Sequence, residues 1–226
     1  MNDLFAAFCG GLAIYGGAMM AEHGNGKAQT TPMSLNSLQE MINRAPGAGR
    51  SLPPVEKWNP PFCGDLDMEI RADGTWFYMG TPIGRPELVR LFASVLRKDE
   101  DGKTYLVTPV EKVGIRVVDA PLLAVEMNVS GDGSEQVLTF RTLTDDILEA
   151  GPEHALRFEI EETNFGLKPY LHARGRLEAL VARPIMYDIV ELGEHIEIDG
   201  VSMFAVRSGG VVFPIMPSAD LEKATT

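Results

Sequence analysis

RPELVRLFASVLRKDEDG (residues 85–102) and RPIMYDIVELGEHIEIDG (residues 183–200) are the two stretches whose comparison decides the fold. At an offset of 98 residues Arg85-Pro86 falls on Arg183-Pro184, and Asp101-Gly102 on Asp199-Gly200, without a gap. Proline presets the backbone of a first helical turn, and Asp-Gly suits a tight turn, so both pairs sit where geometry constrains sequence most. The apolar register agrees on both sides. Leu88, Leu91 and Phe92 meet Met186, Ile189 and Val190. Beyond the turn, Tyr105, Leu106, Val113, Ile115 and Val117 meet Met203, Phe204, Val211, Phe213 and Ile215. The chain therefore reads as an α+β protein of two tandem, distantly related strand–helix–hairpin units with mainly antiparallel sheet.

Working outward, the first helix carries a buried face of Leu88, Leu91, Phe92, Val95 and Leu96 and is expected to end near Lys98. In the second copy Gly193 and Glu194 replace Val95 and Leu96, which predicts a shorter or less buried helix end. Asp67–Arg71 and Thr75–Met79 alternate around the turn Ala72-Asp73-Gly74 and read as a hairpin. Strands are expected at Tyr105–Thr108, Val113–Val118, Leu122–Val129, Gln136–Arg141 and Ala155–Glu162. Thr144–Ala150 reads as a short helix capped by Thr144, and Tyr170–Leu180 as one long strand. After the helix Pro184–Leu192, Val201–Arg207 and Val211–Ile215 close the fold, and a frayed tail follows Pro217. The units are expected to span residues 33–120 and 121–217, with a tail over 218–226.

Residues 1–32 read as an extension upstream of a start near Met33. Leu4–Met20 is apolar but short and rich in Gly, with only Asp3 where a signal peptide would carry Lys or Arg, so neither a membrane anchor nor a leader is expected. Ser37-Leu38-Gln39-Glu40 is a capping-box pattern opening a short helix to about Asn43, and Ala45–Gly49 is a linker. The chain has 226 residues and a net charge of −12, which repels phosphate backbones, so no nucleic-acid polymer is expected as a partner. Cys9 and Cys63 are its two cysteines, show no zinc spacing, and read as reduced thiols in the cytoplasm.

Candidate chemistry gathers in two places. Gly80, Thr81, Gly84 and Arg85 lead into a helix N-terminus, where free N–H groups and an Arg suit an anion, although the loop is neither a Walker A loop nor a dinucleotide fingerprint and no cofactor is legible. His172, Arg174 and Arg176 alternate and share one strand face, and Arg183 opens the second helix. Trp58 and Tyr78 are candidates to stack on a base. If the copies face each other, these groups line one cleft and bind a small anionic or nucleotide-like ligand without catalysis. A hydrolase using Asp65, Asp67 or Cys63, and a protein-interaction module, are the alternatives. The histidines show no HExxH pattern, and no metal site is expected.

Lys57-Trp58-Asn59-Pro60-Pro61, Cys63-Gly64-Asp65, Trp76-Phe77-Tyr78 and Gly80-Thr81-Pro82-Ile83 with Arg85 resemble a bacterial domain-of-unknown-function family, DUF1285. Phe140-Arg141-Thr142, Leu156-Arg157 and Tyr170–Gly175 extend the resemblance over roughly residues 52–215. It implies a duplicated core, a C-terminal half similar to a pleckstrin-homology domain, a ligand pocket between the halves and a signalling role. It supplies no catalytic residues.

Overall fold

The computed structural model describes residues 39–40, 42, 52–161 and 166–224. The expected extension over 1–32, the capping residues Ser37 and Leu38, Asn43 and the 45–49 linker lie outside them. Gln39, Glu40 and Ile42 are helical, as expected, and Ile42 is buried in the core.

The first unit begins with β1 (Phe62–Ile70), β2 (Trp76–Tyr78) and β3 (Thr81–Pro82). Gly74 turns β1 into β2 at φ 78°, and the Asp73 carboxylate accepts the Thr75 N–H at 2.9 Å. Helix α1 (Pro86–Ser94) follows, then β4 (Leu96–Lys98), β5 (Thr104–Val107) and β6 (Lys112–Val117). They form one six-stranded sheet in the order β3-β2-β1-β6-β5-β4. Its parallel pair is β1 with β6; the other neighbours are antiparallel.

The second unit holds β7 (Leu122–Ser130), β8 (Val137–Thr142), β9 (Ile147–Glu149), β10 (Leu156–Ile160), β11 (Leu167–Arg174) and β12 (Leu177–Val181). These make a second six-stranded sheet, β10-β11-β12-β7-β8-β9, whose parallel pair is β12 with β7. Helix α2 (Arg183–Glu191), the antiparallel meander β13 (Glu194–Ile198), β14 (Val201–Ser208) and β15 (Val211–Pro217), and helix α3 (Ser218–Ala224) complete the chain.

The repeat is present in the elements. At the 98-residue offset α1 falls on α2, and β4, β5 and β6 fall on β13, β14 and β15. The copies differ in what their meanders join. In the first, β6 pairs with β1 and merges the meander with the hairpin sheet. In the second, the meander is a sheet of its own, and β12 takes β7 as its parallel neighbour. One core unites both units: Trp76, Phe92 and Leu96 belong to the same cluster as Leu138, Phe140 and Leu171.

Four local expectations change. Helix α1 ends at Ser94, because Val95 leaves helical geometry at φ −107°, ψ 11° and its carbonyl accepts the Val107 N–H across to β5. Leu96 is thus a strand residue; α1 and α2 each have nine residues, so the second helix is not the shorter but is the less buried at its end, where Gly193 and Glu194 are more exposed than Val95 and Leu96. Residues 144–150 are not a helix. Thr142 Oγ1 accepts the N–H groups of Thr144 and Asp146, Asp145 adopts φ 65°, and Ile147–Glu149 alternates as β9. The long strand breaks into β11 and β12 at Gly175, φ 53°, which puts Arg176 in a turn. In place of the expected frayed tail, Ser218–Ala224 form α3, pinned by Ser218 to His195 and Ser202 at 2.7 and 2.9 Å.

Glu111 closes the β5–β6 turn with 5% exposure and no ion-pair partner among the described residues. Burial pushes its carboxyl up from the ordinary range. A raised acid contributes its stability below its unfolded pKa, near 4.3, and loses it as pH rises through the folded value. Glu111→Gln should therefore raise Tm at pH 7, at about 2–4 °C per kcal/mol for a chain of this size. The gain should vanish near pH 4, and equal gains at both pH values in thermal melts would refute the charge-burial account.

Candidate functional site

The two units meet where β6 runs into β7, at Asp119-Ala120-Pro121. Two adjoining cavities, of about 490 and 380 Å³, share Lys98, Asp119 and Pro121 in their walls. The larger lies on the first sheet. Lys98 reaches it from the end of β4, Lys103 from the turn that Gly102 makes at φ 78°, and Arg116 from β6. Gly114 leaves room for the Asp65 carboxylate, which a Cβ at that position would strike. Arg116 pairs with Glu69. Among the described residues no hydrogen bond or ion pair engages the Lys98 or Lys103 ammonium.

The smaller cavity is walled by the second sheet. Strand register places Arg157 opposite Tyr170, and Glu159 opposite Lys168. The Arg157 guanidinium lies 4.2 Å over the Tyr170 ring, donates to both Glu178 oxygens at 2.5 and 2.6 Å, and pairs with Glu159. Asp119 accepts the Tyr170 hydroxyl at 2.7 Å and the Lys168 ammonium at 2.9 Å, and Lys168 also pairs with Glu161 at 2.7 Å. Burial, then the Asp119 hydrogen bond, pushes the Tyr170 phenol up. The Arg157 hydrogen bonds hold Glu178 below the usual carboxylate range against burial. The Glu161 and Asp119 bonds hold Lys168 protonated. In this wall every cation is engaged by a carboxylate, whereas the neighbouring floor carries cations with unused donors.

The residues singled out from the sequence are distributed over several places. Trp58 and Arg176 share another cavity, of about 470 Å³, where Arg176 pairs with Glu100 at 2.8 Å. Arg183 lines a fourth, of about 430 Å³, with Asp73, Leu167 and Met186, and its Nε donates to the Tyr187 hydroxyl at 3.2 Å. Arg174 crosses between the units. It donates to the Ala93 carbonyl at the end of α1 at 2.6 Å and lies 3.5 Å from Asp146. Burial pushes its pKa down, with Asp146 and Glu56 opposing, and its Nε is buried without a hydrogen bond. His172 joins two turns, its Nδ1 2.9 Å from the Glu153 carbonyl and its Nε2 3.0 Å from that of Gly175. Tyr78 lies on β2, where burial and Asp67 push its phenol up. Gly80, Thr81, Gly84 and Arg85 are exposed and line none of these four cavities. Among the described residues, Arg85 and Arg183 share none of these four cavities.

Asp65 lines the larger cavity, while Asp67 and Cys63 line neither half of the cleft. Among the described residues no group of three or more His, Cys, Asp or Glu is placed to hold a metal ion, and no helix is long and apolar enough to cross a membrane. Lys98, Asp119, Arg157, Lys168, Tyr170 and Glu178 were not singled out from the sequence. The alternation that flagged His172 and Arg174 runs back through Tyr170 and Lys168, and following it two steps further reaches the wall of the cleft.

Comparison with known proteins places these features in a family. Residues 53–120 match the N-terminal domain model of DUF1285, a domain of unknown function, and residues 121–215 match its C-terminal domain model. A crystal structure of a DUF1285 family protein from Silicibacter pomeroyi DSS-3 is 44% identical, covers 85% of this chain and 100% of its own, and superposes with a TM-score of 0.75. One from Shewanella baltica OS155 is 29% identical over 56% of this chain and 91% of its own, with a TM-score of 0.44. No curated protein matches.

Proposed function

The chain belongs to the DUF1285 family, whose function is unknown, and we propose that this member is a non-catalytic binding module for a small anionic ligand held in the cleft between its units. The observation that carries this reading is the Lys98 ammonium, unpaired among the described residues in the wall shared by both cavities. In a chain of net charge −12, acidic side chains that could neutralise a cation are abundant. A cleft admits less screening water than open surface, which strengthens the attraction between such a cation and an anion that enters. Lys103 and Arg116 add donors on the same side. The combined volume suits a metabolite-sized molecule. Of the three residues considered for hydrolysis only Asp65 is at the cleft, without a second acid–base partner beside it from that set. Cys63 forms no disulfide among the described residues, which suits the reducing cytoplasm in which we place the protein.

Titration calorimetry with inorganic phosphate tests the reading. A charge-assisted hydrogen bond contributes about 1.5–3 kcal/mol, so Lys98→Ala should weaken phosphate roughly tenfold or more. Phosphate heat that is absent, or unchanged in a folded Lys98→Ala variant, would remove the proposal.

A further inference from the structure

We infer that the ligand is a phosphorylated polyol, with its phosphate among Lys98, Lys103 and Arg116 and its hydroxyl groups toward Glu178 and Asp119; this rests on the anion-binding reading and names its ligand class. The two ends of the cleft differ in which hydrogen-bonding capacity is left over. At the larger end it is mainly donors, because the Lys98 and Lys103 ammoniums have no partner among the described residues and outnumber the Asp65 carboxylate, the one acid of that lining without a hydrogen bond there. At the smaller end it is acceptors. Arg157 is taken by Glu178 and Glu159, and Lys168 by Asp119 and Glu161. An ionised carboxylate offers about four lone-pair positions. Glu178 accepts two bonds from Arg157, and Asp119 accepts one from Tyr170 and one from Lys168. Each therefore keeps capacity for a further donor.

The charge of that donor follows from its neighbours. A second phosphate would face Glu178, Glu159 and Asp119. An ammonium would face Lys98, whose charge already reaches Glu178, together with Arg157 and Lys168. A neutral hydroxyl meets neither repulsion and fills the remaining lone pairs. The cleft also lacks a place for a nucleobase. Tyr170 contributes the one aromatic ring among the residues lining the two cavities. It is 5% exposed, carries Arg157 over its face, and has its hydroxyl committed to Asp119. Base recognition ordinarily uses an open aromatic face. Trp58 and Tyr78, the stacking candidates of the sequence, line neither cavity.

Calorimetry on the full chain with inorganic phosphate, 2-deoxyribose 5-phosphate, ribose 5-phosphate and adenosine 5′-monophosphate separates the possibilities without any substitution. Ribose 5-phosphate should bind at least tenfold tighter than phosphate, which is about 1.4 kcal/mol. The deoxy sugar should bind several-fold weaker than ribose 5-phosphate, and the nucleotide no tighter. Ribose 5-phosphate no better than phosphate, or a nucleotide tenfold tighter than the sugar phosphate, would overturn the polyol assignment and leave the anion site standing. Silence from all four compounds would overturn both.

Discussion

Arg97→Met should be among the most damaging single substitutions in the first unit, costing about 3–5 kcal/mol, or roughly 6–20 °C in Tm. Arg97 lies in β4 at 7% exposure. Its Nε and one terminal nitrogen grip Asp99 at 2.6 and 3.2 Å. Its other terminal nitrogen donates to the Val55 and Trp58 carbonyls at 2.9 and 2.7 Å. Met keeps the volume and loses every donor, so two backbone acceptors and one carboxylate are stranded. Asp99 then keeps only the Lys112 ammonium, at 3.0 Å. Burial pushes the Asp99 carboxyl up, but the Arg97 and Lys112 hydrogen bonds outweigh it and hold the group below its usual range. A depressed acid contributes stability above its unfolded pKa, near 3.9, and loses it as pH falls through the folded value. The gap between wild type and variant should therefore narrow below about pH 4. Arg97→Lys keeps the charge without the fork and should fall between the two. Trp58 is one of two tryptophans, and its emission should shift to the red as its segment loosens. A Tm within about 3 °C of wild type in calorimetric melts would show that the grip on Val55 and Trp58 is dispensable.

What was legible in advance was local. Pro86 and Pro184 open helices, and Gly102 and Gly200 stand at φ 78° and 79° in the turns that Asp-Gly predicts. These features depend on a few adjacent residues, so the sequence displays them directly. The strand partners do not. β1 finds β6 in parallel across the intervening helix and hairpin, and β12 finds β7 rather than the meander of its own repeat. Nothing in the alternation of either strand names its neighbour. Val95 and Leu96 continued the helical spacing of α1, yet a short buried strand gives the same apolar run. Both are fully buried as strand-side residues. Thr144 looked like a helix cap, but Thr142 Oγ1 accepts the Thr144 and Asp146 N–H groups that such a helix would use, and the Thr144 hydroxyl donates to the Asp146 carboxylate instead. The cleft was illegible for a similar reason. Lys98, Asp119, Arg157, Lys168 and Glu178 come from separate strands and a junction, with no shared spacing. Only Lys168 and Tyr170 lay on an alternation already noticed, beside His172.

Phe92→Ala and Ile189→Ala should each cost several kcal/mol, about 3–5 for the first and 2–5 for the second, while their repeat equivalents Val190→Ala and Leu91→Ala should cost markedly less. Phe92 is fully buried and stacks on Trp76, ring centres 6.3 Å apart, but Val190 at the matching position is half-buried. In α2 it is Ile189 that is fully buried, and its counterpart Leu91 is only partly so. The inward faces read Leu88, Phe92 and Ala93 in α1, and Ile185, Met186 and Ile189 in α2. They differ by about one residue, or roughly 100° of helix rotation. The meanders account for the difference. β6 joins β1 and extends the sheet whose Trp76 stacks on Phe92 of α1, whereas β13–β15 form a separate sheet and α2 packs beside β11 and β7. A helix that keeps its length and its Pro start can meet a differently placed sheet only by turning. Chemical denaturation of the four variants decides this. Equal losses within each aligned pair would mean that both helices dock in the same rotational register, and that the two copies diverged in sheet pairing alone.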